Sequence, residues 1–113
     1  MTTVAEELDM LNVGEEGYLN DPADWNEDVA RMLAADEDID LTDEHWRVLR
    51  FMRDYHAEHG IAADARFVIR FIAEELGYKD LARTRLFELF PYGYVKQACK
   101  IAGMQRPRAW STG

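Results

Sequence analysis

Apolar residues recur at three- and four-residue spacings through most of the chain, and that period predicts helices. A first helix is predicted over residues 21–35, with Asp21 as its cap and Pro22 in its first turn. Trp25, Val29, Met32 and Leu33 share its inner face. Thr42 caps a second helix that carries Asp43 and Glu44 in its first turn and stops at Gly60. Its buried side is predicted to hold Trp46, Leu49, Met52 and Tyr55. A third helix, over residues 64–76, turns Val68, Phe71 and Ile72 inward, spaces Arg70 and Glu74 to pair on the wet side, and ends at Gly77. Two shorter helices follow, over residues 80–90 up to Pro91 and over residues 93–102 up to Gly103. In front of them, residues 8–19 carry apolar stretches around Gly14-Glu15-Glu16-Gly17, the pattern of a small hairpin resting on the helices. The last ten residues contain Pro107 and no helical period, and read as an arm. The expected architecture is mainly α: a compact five-helix bundle with an N-terminal β-hairpin and a flexible C-terminal arm. It forms one domain over residues 1–113, divided into an N-terminal segment and hairpin (1–20), the bundle (21–103) and the arm (104–113).

Composition narrows the class. At 113 residues the chain is sized for one domain, and five Phe, five Tyr and three Trp are too many aromatics for a disordered polypeptide. No apolar run approaches the roughly 18 residues of a membrane helix. The acidic start lacks a basic-then-apolar leader, so a cytoplasmic location is expected. A single Cys excludes an intrachain disulfide, a CxxC pair and a thiol-rich zinc site. The net charge of −9 conceals an asymmetry. Residues 1–44 hold 15 acids and one base, whereas residues 45–113 hold seven acids and twelve bases. That pattern fits a solvated acidic face, or a basic C-terminal half that docks on an acidic partner or RNA. The overall sign opposes non-specific nucleic-acid binding.

Other candidate chemistry is sparse. His56 and His59 lie three apart on the second helix with His45 upstream, and read as exposed helix histidines rather than metal ligands. The carboxylates of residues 36–44 lack the spacing and central Gly of a calcium loop. Neither a metal nor a cofactor is expected. Arg66 and Arg70 follow a short turn between two helices and read first as a solvent-facing ridge, an arrangement also compatible with a helix-turn-helix contact to DNA.

Several blocks carry a family likeness: Glu15-Glu16-Gly17-Tyr18-Leu19, Asp24-Trp25, Leu41-Thr42-Asp43-Glu44-His45-Trp46 and Phe51-Met52-Arg53-Asp54-Tyr55. Leu89-Phe90-Pro91-Tyr92-Gly93 and Lys96-Gln97-Ala98-Cys99-Lys100-Ile101-Ala102-Gly103 follow in that order. Together they resemble the DsrC/TusE family of small sulfur-relay proteins, from about residue 13 to 108. The resemblance implies a helical bundle with an N-terminal hairpin and a mobile C-terminal arm. It implies partners among sulfur-transfer proteins or sulfite-reductase-type complexes, in sulfur oxidation or reduction or in tRNA 2-thiolation. It implies a carrier or docking protein rather than a catalyst, or a sulfurtransferase if an enzyme at all. Family members use a cysteine next to the chain end, and DsrC proteins have a second one at the position of Cys99. Here the arm position falls on Trp110, and an indole carries no persulfide. Any sulfur would therefore have to sit on Cys99, at the edge of its helix's apolar arc, with Lys96 and Lys100 nearby and the helix end opposing an anion. No strongly activated nucleophile is expected. Lys96, Lys100, Arg106, Arg108 and Trp110 form the expected docking end. A regulatory relative acting through protein contacts, or through DNA contacts at Arg66 and Arg70, is the alternative.

Overall fold

The computed structural model describes residue 14 and residues 18–104. Among them are five helices and no strand. The predicted hairpin falls mostly outside the described residues. Of its span, the Gly14 N–H donates to the Tyr18 carbonyl at 2.9 Å, and Leu19 is buried. All of the predicted arm beyond Met104 also lies outside them.

The chain enters differently from the predicted first helix. Asp21-Pro22 opens only a single 3-10 turn, Pro22–Asp24, with the Asp21 carboxylate accepting from the Ala23 N–H. Trp25 and Asn26 are extended, and Asn26 caps the true helix α1, Glu27–Asp36, by accepting from the Val29 N–H at 2.9 Å. Two cap signals stand five residues apart and each is satisfied locally, so Trp25 lies off the helix. Helix α1 buries Val29, Ala30, Leu33 and Ala34. It ends without glycine: Asp38 takes φ 57°, a conformation a short polar side chain tolerates. Helix α2, Asp43–His59, starts at Thr42 and stops at left-handed Gly60 as predicted. Helix α3, Ala65–Glu74, is capped by Asp64. It packs on α2 through Phe51 stacked on Phe71 (ring centroids 4.6 Å) and Tyr55 on Phe67 (5.7 Å). Arg70 lies over the Phe67 ring, 5.9 Å from its centroid, rather than pairing with Glu74. A 3-10 turn, Lys79–Leu81, leads into α4, Ala82–Leu89. The last helix begins as a π-helical segment, Tyr94–Ala98, and tightens into α5, Cys99–Ile101. Gly93 at φ 97° permits the entry into it. The five helices close on one core with a radius of gyration of 13.5 Å.

His45 corrects the expectation of exposed histidines. It is buried at the third position of α2, where its Nδ1 accepts from the Thr42 N–H at 3.0 Å. That leaves the proton on Nε2, which donates to the Leu89 carbonyl at 2.7 Å and ties α2 to the end of α4. Burial pushes its pKa down, although the Leu89 bond and Glu44 pull the other way. Next to it, burial opposes the charge on Glu44, yet hydrogen bonds from Arg85 (2.8 Å) and Tyr78 (2.9 Å) outweigh burial and hold the carboxyl below its usual range.

His45→Ala is expected to cost about 1–3 kcal/mol, because the Leu89 carbonyl loses its donor in the core. The pH dependence has a defined sign. The unfolded chain protonates this imidazole near its ordinary value of 6.5, above the folded value, so the stability it contributes is whole above 6.5 and drains as pH falls below it. Urea melts at pH 7.5 and 5.5 are expected to show a smaller difference in His45→Ala than in the parent.

Candidate functional site

Three parts of the chain that are far apart in sequence meet where the described residues end. The end of α5 is closed by two backbone bonds. Gly103 N–H donates to the Lys100 carbonyl (3.1 Å), and Met104 N–H donates to the Cys99 carbonyl (2.9 Å). This is a Schellman closure, and it requires the left-handed φ of 77° that Gly103 adopts. Glycine is needed here twice, since a Cβ would sit 2.5 Å from Cδ1 of Trp25. The Trp25 indole N–H donates to the Ile101 carbonyl at 2.8 Å. Arg53 lies over the Trp25 ring at 4.6 Å, and its guanidinium donates to the Ala102 carbonyl (3.1 Å) and the Pro22 carbonyl (3.0 Å). The entry turn, α2 and the end of α5 are thereby one unit, and Met104 leaves it buried.

Cys99 lies beneath this unit with no solvent exposure. The π-helical register sets its direction. Its backbone N–H bonds to the carbonyl of Tyr94, five residues back, and its thiol meets the Tyr94 hydroxyl. That hydroxyl donates to the Ala63 carbonyl in the α2–α3 turn. Burial pushes the Cys99 thiol up to about 12, and the Tyr94 bond offsets only part of this. Burial also raises the Tyr94 phenol far above its usual range. The two lysines expected to favour a thiolate do not act on it. Lys96 is exposed, and Lys100 is buried with its ammonium 3.0 Å from Glu37 and 3.7 Å from Asp36 at the end of α1.

The two described residues of the sequence-predicted docking end take different roles. Lys96 faces solvent, Lys100 is a strut between α5 and α1, and Arg106, Arg108 and Trp110 lie outside the described residues. Arg66 is held by Asp64, with Nε at 3.3 Å, and Arg70 is spread over Phe67. A carboxylate on the first of these arginines works against a phosphate contact, and neither joins Lys96. Among the described residues no group of three or more His, Cys, Asp or Glu is placed to hold a metal ion. None of their helices is long and apolar enough to cross a membrane. Arg53 and Tyr94 escaped sequence reasoning as site residues. Arg53 carried a signal, because it stands four residues after Leu49 and so on the inward side of α2.

A small helical bundle with a cysteine in its last helix and a sharply turned chain exit is the class these features define. The chain belongs to the family described as DsrC like protein, whose pattern it matches over residues 6–109. It is 40% identical over 97 residues to the protein named sulfurtransferase TusE of Photorhabdus laumondii subsp. laumondii, covering 86% of this chain and 87% of that one. In structure it resembles the oxidized gamma-subunit of the dissimilatory sulfite reductase, DsrC, from Archaeoglobus fulgidus. That match has a TM-score of 0.76 at 36% identity, over 86% of this chain and 89% of the other. It also resembles DsrC of Allochromatium vinosum, with a TM-score of 0.73 at 41% identity, over 84% and 85% of the two chains.

Two outcomes follow from this geometry. Raising the thiol from its ordinary value near 9 to about 12 cuts the thiolate fraction about a thousandfold at neutral pH. Iodoacetamide at pH 8 is therefore expected to label the native chain at least about 100-fold more slowly than the urea-unfolded chain, as read by intact mass. Gly103→Ala is expected to cost about 2–4 kcal/mol, combining overpacking against Trp25 with the penalty of positive φ. In a Trp25→Ala background the overpacking part should vanish, and urea melts of the four variants measure the coupling.

Proposed function

We propose that this chain is a cytoplasmic sulfur-relay protein that works by docking onto sulfur-transfer or sulfite-reductase-type partners, with sulfur bound to the partner rather than to Cys99. The contact is made by the basic C-terminal end, through Lys96 and the sequence Arg106-Pro107-Arg108-Ala109-Trp110. The observation that carries this reading is the burial of the only thiol, which is protonated, without solvent contact and without a lysine beside it. A persulfide acceptor needs a thiolate within reach of the donor, and Cys99 offers neither. The surface supports docking instead. Arg85 and Lys100 are taken up by carboxylates of the bundle, whereas Lys79, Arg83 and Lys96 are exposed and, among the described residues, in no ion pair. Kinship with a TusE sulfurtransferase and a sulfite reductase gamma-subunit supports sulfur metabolism as the setting.

Two measurements test the reading. After incubation with a persulfide donor, the native chain is expected to show no one-sulfur mass increase at Cys99; such an increase would make the chain a carrier. Calorimetric titration into purified dissimilatory sulfite reductase is expected to show binding that weakens with salt. Lys96→Glu should lower the affinity about 3–10-fold, the scale of one rim charge reversed. An affinity unaltered by that reversal, or by removal of residues 106–113, would place the contact elsewhere.

A further inference from the structure

We propose that Arg53 is a positioning residue that sets the direction in which the chain leaves the bundle after Met104. Its purpose rests on the docking reading above; its test does not.

The argument starts from an unusual placement of charge. The Arg53 guanidinium is half-buried, and burial lowers its pKa, yet among the described residues it has no carboxylate partner. The neighbouring cases differ: Arg31 pairs with Glu27 and Asp28, Arg66 with Asp64, and Arg85 with Glu44 and Glu88. Arg53 spends its donors on two main-chain carbonyls instead. One is Ala102, the residue that closes α5, and the other is Pro22, in the turn that precedes α1. Its flat face covers Trp25, whose indole takes the adjacent Ile101 carbonyl. Two successive carbonyls at the exit are therefore engaged from outside their own helix, and Gly103 is pressed beneath the same indole.

The chemistry requires this side chain. Carbonyls at a helix C-terminus bear negative partial charge, so a cation is favoured there without a carboxylate. Only a planar fork reaches two acceptors in fixed directions while stacking on a ring; a lysine ammonium has three donors but neither the flat face nor the fixed fork. Stability alone would be met by an apolar residue at this inward position. What the fork adds is a fixed orientation of residues 101–104 relative to α2 and to the entry turn, which determines where a C-terminal docking sequence begins.

Backbone NMR on the full chain tests this. Arg53→Met keeps the stem and removes the fork, Arg53→Lys keeps the charge, and Val48→Ala supplies a comparable loss of stability in the same helix. Arg53→Met is expected to raise amide exchange at Gly103 and Met104 at least tenfold relative to Val68 and Ile72 in α3, and to lower the heteronuclear NOE at Met104. Arg53→Lys should not restore either quantity to the parent value. Val48→Ala should accelerate exchange across the bundle without singling out Gly103 and Met104. The proposal is overturned if Arg53→Met changes exchange only in proportion to overall stability, if Arg53→Lys is indistinguishable from the parent, or if Val48→Ala disturbs the exit equally. No partner enters these readouts, so a failure of docking with an intact exit counts against the docking reading alone.

Discussion

The arrangement depends on one half-buried cation. Desolvating a guanidinium costs several kcal/mol unless its donors are satisfied, and here the satisfaction comes from peptide carbonyls and an indole face rather than from an acid. A carboxylate would have fixed Arg53 to a side chain, which can turn. Carbonyls fix it to the backbone itself, at the Pro22 turn and at the end of α5. The close approach of Trp25 to Gly103, which leaves no room for a Cβ, presupposes that the entry turn and the end of α5 are held at this spacing.

Beneath that clamp, the π-helical segment decides the chemistry of the sulfur. In a regular α-helix, side chains five apart point in different directions. The wider turn from Tyr94 to Ala98 instead brings residues 94 and 99 onto one side, so that the phenol covers the thiol. The phenol is itself held by the Ala63 carbonyl, so the lid belongs to the α2–α3 turn as much as to its own helix. A thiol so placed packs as a small core residue. Its reactivity is suppressed by burial, and by the redirection of Lys100 onto Glu37 and Asp36.

The legibility of this molecule in its sequence followed a physical rule. Features determined within one turn of chain were readable: Thr42 as a cap, Gly60 as a left-handed stop, the inward Val68 and Ile72. The site was less so, because each of its parts is defined by something distant. Asp21-Pro22 carries a sound helix-start signal that a 3-10 turn satisfies equally well, and only the pull of Ile101 on the indole shows why Trp25 stays off α1. A 3.6-residue wheel laid over residues 93–102 leaves Cys99 at an edge, because five residues cannot disclose a π period. His45 was closer to readable, since it shares the face of Val48 and Leu49, but its neutral partner, the Leu89 carbonyl, is 44 residues away.

Charge explains why a chain so acidic presents a basic end. The acids of residues 1–44 are not idle near the bundle: Glu37 and Asp36 neutralise Lys100, and Glu44 neutralises Arg85, so two cations of the C-terminal half are spent on joining helices. What remains outward is set by which bases lack such partners, not by the count of bases in the sequence. Lys96 stands one turn before Lys100 on the same helix, yet it reaches no carboxylate among the described residues and keeps its charge for solvent.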